Sequence, residues 1–200
     1  TMSTGTITAI ATKNTNFGGM AGGVAGMFAG YAYNNYATGD VVIGNAGSAH
    51  QWGGILFGEV TTANMTKVDG VYTYDSVDVR AYGYYAASAT LQEQTYTDGE
   101  LSNTETLETV GIGVGTVASD TVYSPSAVSA ETTAAEMAET LNGNLYDVYK
   151  NLKKLGVEDV VTLQNWEASD DVVTPTGEVW VNTTIDESIF AGGSGTAEDP

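Results

Sequence analysis

Cysteine is absent from the 200-residue chain, which removes disulfide frameworks, thiol nucleophiles and zinc–thiolate sites together. Positive charge is nearly absent as well. Six Lys and Arg residues, with Arg80 the lone arginine, face 25 Asp and Glu, for a formal net charge of −19. Binding to DNA or RNA depends on Lys and Arg neutralising phosphates, so nucleic acid is excluded as a primary partner. A polybasic patch for anionic lipid is excluded on the same count. Charged residues of both signs make up 16% of the chain, below the roughly 25% of ordinary soluble domains. Thr, Ser, Asn and Gly must therefore supply much of the contact with water. The N-terminus has no basic region leading into a leucine-rich stretch, so a signal peptide is not expected. The length suffices for a hydrophobic core without metal or disulfide staples.

What charge there is lies unevenly. Residues 1–58 hold one acid, Asp40, and one base, Lys13, while the remaining acids fall in 59–200. About half of the 25 glycines lie in the same first stretch. This compositional boundary suggests three parts: residues 1–38 as an N-terminal strand with a Gly/Ala-rich arm or packing segment, 39–190 as a β-rich globular body with a helix, and 191–200 as a tail.

Within the first part, Gly5–Thr12 reads as a short strand rich in Thr and Ile. From Phe17 to Tyr33 the chain is uncharged, and Gly18, Gly22, Gly26 and Gly30 recur every fourth residue beside Ala21, Ala25 and Ala29. On a helix this period makes a ridge of small residues that lets a second backbone approach. The pattern resembles the glycine-zipper segments of membrane-associated oligomers, a resemblance that implies an inserting helix. Each interior glycine costs a helix about 1 kcal/mol relative to alanine, so such a helix needs tight packing or lipid to form. The leading expectation is a buried or intersubunit-packed segment, and a Gly-rich arm or loop anchored by Phe17, Phe28 and Tyr31 competes with it. Phe17, Gly18, Gly22, Gly26, Phe28, Gly30, Tyr31 and Tyr33 are the candidate interface residues.

Beyond Gly39 the signals are mostly β. Val41–Ile43, Ile55–Phe57 and Val60–Thr62 are short β-prone runs, and Asp69-Gly70 and Asp98-Gly99 are two-residue hairpin signals. A β-rich stretch runs from Val71 to Thr97 and returns through Leu101 to Val117. Tyr72/Tyr74 and Tyr82/Tyr84 are spaced to share one face of a strand. One helical region is expected, capped by Ser129, with Met137, Leu141, Leu145, Val148, Leu152 and Leu155 on one face. Asn142-Gly143 divides it, Lys150, Lys153 and Lys154 suit its C-terminal dipole, and Gly156 ends it. The chain then returns to strand at Asp159–Leu163, Val172–Thr174 and Gly177–Val181.

Catalytic patterns are sparse. A hydroxyl–imidazole–carboxylate arrangement must use His50, the one histidine, and Ser48 beside it lacks the G-x-S-x-G turn. Gly18-Gly19 and Gly22-Gly23 are followed by no G-K-[ST], and Gly111-Ile112-Gly113 lacks the third glycine of a dinucleotide turn, so nucleotide binding is not expected. Acids are numerous enough for a carboxylate-based hydrolase, the enzymatic alternative, but Asp170-Asp171 reads as a turn. Calcium takes oxygen ligands from acidic loops. Asp69, Asp75 and Asp78, with Asp98 and Glu100, are its candidate ligands, although no EF-hand spacing is present.

The sequence thus reads as an α+β, predominantly β protein, a sandwich- or barrel-like sheet with one helical hairpin or long helix over about 130–155. The expected role is structural rather than enzymatic: a self-assembling subunit of an extracellular filament, surface layer or virion shell, capsid decoration included. Its partners would be copies of itself or a larger protein scaffold, and its location extracellular, on a cell surface or on a virion. Two alternatives stand beside it. One is a membrane-associated oligomer inserting residues 17–33. The other is a secreted adhesin or carbohydrate-binding module with structural calcium.

Overall fold

The computed structural model describes residues 1–12, 20–46, 52–69, 71–76, 78–107, 111–114, 122–156, 160–169 and 172–182. The chain divides into two compact units, Thr1–Ala130 and Glu131–Pro200. It is α+β and predominantly β, with sandwich-like sheets, as the sequence led us to expect.

In the first unit the chain makes successive passes of short strands that stack in register. After β1 (Met2–Ser3), the first pass is β2 (Ile7–Ala11), β3 (Met20–Gly22), β4 (Ala25–Phe28) and β5 (Tyr31–Ala37). The second is β6 (Val41–Asn45), β7 (Trp52–Gly54) and β8 (Phe57–Val60), then a hairpin of β9 (Ala63–Val68) and β10 (Val71–Ser76), then β11 (Arg80–Ala86). The third is β12 (Leu91–Thr97), an added strand β13 (Glu100–Leu107), β14 (Ile112–Val114) and β15 (Val122–Val128). Each pass lies parallel on the one before. Ile7 pairs with Val41 and Val41 with Leu91, Ala25 with Phe57 and Phe57 with Ile112, Tyr31 with Arg80 and Arg80 with Val122. The same positions of successive passes therefore point inward. They build one core from Val41, Ile43, Phe57, Val60, Ala81, Tyr85, Leu91 and Ile112, with Ile7, Ala9 and Phe28 packed against it.

Corners between the short strands explain the glycines. A methyl group built on Gly58 would stand 2.5 Å from the Gly26 carbonyl oxygen and 2.6 Å from that of Ala21. One on Gly22 would stand 2.5 Å from the Gly58 nitrogen. Gly30, at φ +144°, turns the chain into β5, and its carbonyl accepts from the Arg80 amide at 2.9 Å. The four-residue period is thus not a helical ridge. Residues 20–22, 25–28 and 31–37 are strands; Gly22 and Gly26 lie within them where neighbouring backbone leaves no room for a side chain, and Gly30 makes the turn into β5. In this stretch β2, β4 and β5 pair with β6, β8 and β11, and the first compact unit runs from Thr1 to Ala130.

Both Asp-Gly hairpins form. Asp69 (φ +50°) turns β9 into β10, and Asp98 (φ +53°) with Gly99 (φ +94°) turns β12 into β13. Positive φ at the first turn residue matches the twist of the strands, and Asp tolerates it better than most side chains. The long stretch Val71–Thr97, by contrast, is no single ribbon. It is shared among β10, β11 and β12, which belong to three different sheets. Asp40, the one acid of the first 58 residues, joins two passes: its Oδ1 accepts from the Thr90 amide at 2.7 Å and the Thr90 hydroxyl at 2.9 Å.

The second unit packs α1 (Ala134–Gly143) and α2 (Leu145–Lys154) with the hairpin of β16 (Val160–Ser169) and β17 (Val172–Asn182). Thr133, not Ser129, caps α1. Its hydroxyl accepts from the Glu136 amide while the Glu136 carboxylate accepts from the Thr133 amide, a reciprocal capping box. The break between the helices falls at Asn144. Trp166, Met137, Leu141 and Val173 are buried, and the Asn142 side chain both donates to the Trp166 carbonyl (2.8 Å) and accepts from its amide (2.9 Å), where the β16–β17 register shifts. Gly156, at φ +78°, lies just past the end of α2, and its amide donates to the Lys153 carbonyl.

Candidate functional site: the open edge of the first pass

A stack of parallel strands ends in two exposed rows of backbone, and here the two ends differ chemically. On β2 the Ile7 amide donates to the Asp40 carbonyl at 2.9 Å, and the Ala11 carbonyl accepts from the Ala46 amide at 3.1 Å. In a parallel pair the amide and carbonyl of one residue face the same neighbour, and alternate residues face opposite sides. Ile7, Ala9 and Ala11 therefore bond to β6, and the backbone groups of Thr8 and Ile10 point away from it. Among the described residues no strand pairs with that outer side, nor with the outer sides of β3 and β4. β1 covers only the end of β5, where Met2 pairs with Tyr36 and Ser3 with Ala37.

Proteins blunt such edges with lysine, proline, bulges or charge. β2, β3 and β4, reading ITAIA, MAG and AGMF, contain none of these residues. Apolar side chains are exposed on this pass instead: Ile10 at 41%, Met27 at 55% and Tyr31 at 46%. The opposite end is blunted in part, although Leu101 and Tyr123 are exposed there. Because the Val128 carbonyl accepts from the Ala87 amide, Val128, Ser126 and Ser124 face β11, and alternation turns Pro125 outward, where it offers no N–H. β13, the outer strand beside β12, carries exposed Glu100 and Glu105.

Tyrosines line the solvent face of β5 and β11. Tyr33 stacks on Tyr82 with ring centroids 5.2 Å apart and planes inclined at 13°, while Tyr85 on the alternate face enters the core. Burial, then the neighbouring Tyr82, holds the Tyr33 phenol above its usual pKa of 10.0. Burial alone does the same for Tyr36. Arg80 reaches back to Asp78 at 2.6 Å, an ion pair out of line for a hydrogen bond.

The sequence-derived candidates fall as follows. Gly22, Gly26, Phe28, Gly30, Tyr31 and Tyr33 all lie in the first pass. Phe28 packs on Phe57 at 4.8 Å and so serves the core. Phe17, Gly18, Ser48 and His50 lie outside the described residues. Of the calcium candidates, Asp69 and Asp98 sit at the tips of different hairpins, Asp75 lies on β10, Glu100 opens β13 and Asp78 is paired with Arg80; among the described residues no three acids or histidines are placed to hold a metal ion. Lys150 pairs with Asp147 of its own helix at 2.9 Å and lies over the Tyr146 ring. Among the described residues no helix is long and apolar enough to cross a membrane. A shallow depression lined by Thr12, Ala46, Thr95, Tyr96, Thr97, Asp98 and Gly99 brings one carboxylate together with hydroxyl groups.

Comparisons with known protein families, with curated proteins and with solved structures find no match.

Sequence reasoning missed the repetition. Its trace is the pattern Ala-Tyr-x-x-Tyr-Ala at 32–37 and again at 81–86, on the paired strands β5 and β11.

Proposed function

We propose that this chain is a structural, self-assembling subunit of an extracellular filament, surface layer or virion shell, capsid decoration included. One observation supports the reading above others: the first pass of the stack is at once nearly chargeless, apolar at Ile10, Met27 and Tyr31, and, among the described residues, open along the backbone edges of β2, β3 and β4. On a chain of net charge −19, copies repel one another through most of their surface. The end without charge is where they can meet. The test is electron microscopy of the purified chain, with light scattering alongside, as salt is raised to screen repulsion. Ordered particles larger than one chain are expected. A monomer at every salt and protein concentration would contradict the reading.

A second reading, an adhesin or carbohydrate-binding module, is favoured by the Tyr33–Tyr82 stack and the exposed Tyr31 beside it. Aromatic rings on a sheet face suit the apolar faces of sugars. A glycan array would report it, and Tyr82→Ala would abolish the signal.

A further inference from the structure

We infer that the open edge of β2 pairs with the same edge of a second copy of this chain, the Thr8 and Ile10 amides and carbonyls of each supplying the hydrogen bonds. The inference rests on the assembly reading and names its contact. Three observations select the occupant. Alternation along β2, fixed by the Ile7–Asp40 and Ala46–Ala11 bonds, leaves the backbone groups of Thr8 and Ile10 facing outward. A strand that adds there must itself have unspent edge groups. The opposite end of the stack is a poor source, since Pro125 faces outward on β15 and β13 carries exposed Glu100 and Glu105. Charge then favours like with like: the first pass and the turn after it hold only Asp40 and Lys13, and Asp40 is already engaged with Thr90. Two such ends meet without opposing acids, whereas any contact through the later passes of both copies sets carboxylates against carboxylates. A contact of one surface with itself closes on a two-fold axis, so the two β2 strands run antiparallel and exchange about four main-chain hydrogen bonds. The pair would be the unit from which a larger lattice grows through other surfaces.

The chain has no cysteine, so single thiols report the contact cleanly. Antiparallel hydrogen-bonded partners have Cα atoms about 5.5 Å apart, within disulfide reach. Thr8→Cys alone, Ile10→Cys alone, and the two mixed are oxidised mildly. Gly143→Cys, at an exposed helical position with open space around it, sets the background. We expect a covalently linked pair from at least one of the first three, well above that background, and which one forms reads the register. In parallel, Thr8→Pro removes an outward amide at a position where proline is tolerated, and Ile10→Lys blunts the edge while keeping every amide. Both should retain the circular dichroism and melting temperature of the parent while the assembled mass drops toward the 20.8 kDa of one chain. If the parent assembles but linking stays at background and both variants assemble unchanged, this contact is wrong and the assembly reading survives. A parent that is monomeric under all conditions overturns both.

Discussion

At the scale of single residues, close approach is what the first unit demands. Gly22 and Gly58 belong to adjacent passes, and neither has room for a methyl group because backbone atoms, not adaptable side chains, fill the space. Gly58→Ala should destabilise the fold by on the order of 3 kcal/mol, seen as a lower melting temperature, whereas the same change at Gly143, with no neighbour within 4 Å, should raise helix stability. Among the described side chains of the second unit Trp166 is the largest that is fully buried, and Trp166→Ala should cost about 3–5 kcal/mol. The glycine spacing was visible in the sequence and its cause was not. Alanine and glycine every fourth residue satisfy a helix period as well as short strands whose backbones touch a neighbouring pass, and only the pairing partner, distant in sequence, separates the two.

At the scale of elements, local rules were legible wherever the structure obeys them locally. Asp69-Gly70 and Asp98-Gly99 specify hairpins from two residues, and both hairpins are there. The helical region was legible from its apolar period, and its division near Asn142 was too. The Thr133–Glu136 capping box was overlooked although both residues stand at the proper spacing; Thr133→Ala should lower stability by about 1 kcal/mol, measured by denaturant melting. The Glu136 half of the box has a pH signature. Its hydrogen bonds from Thr133 hold the carboxyl below its usual value of 4.5, so this contribution is present above that pH and fades as pH falls through the lowered pKa. Parallel pairing was the unreadable part. The interval between equivalent residues lengthens from Ile7–Val41 to Val41–Leu91, because the β9–β10 hairpin is inserted in the second pass. That insertion hides the repeat from any fixed-period reading. Antiparallel ribbons announce themselves through their turns; parallel strands are joined by long connections whose sequence carries no comparable mark.

At the scale of the molecule, charge and architecture divide along the same direction. The passes are built in chain order, so a composition that changes along the sequence becomes a difference between the two ends of the stack. The acids excluded from the first pass lie in the later passes and in the second unit. Where one enters an apolar setting, as Glu59 does on β8, burial pushes its carboxyl above 4.5. Folding therefore favours the protonated form there, and its contribution is lost as pH rises through the raised value. Tyr33 and Tyr36 act in the same sense at higher pH. Their phenols are held above 10.0, so the stability they contribute is complete below that pH and is lost as pH climbs through the raised values. Melting temperature should fall steeply above about pH 10, and Tyr36→Phe should flatten that fall. Acidification from neutral pH also reduces the net charge of −19, so assembly should strengthen between pH 7 and 5 and with added salt, as light scattering would show.

Amide hydrogen exchange along β2, followed as a function of protein concentration, tests most directly whether the first pass is an open edge that copies share. In dilute solution the Ile7, Ala9 and Ala11 amides should be protected by β6 while those of Thr8 and Ile10 exchange freely, and protection of Thr8 and Ile10 should rise as the protein concentrates. Equal exchange along the whole strand, or a concentration dependence that spares Thr8 and Ile10, would contradict the account.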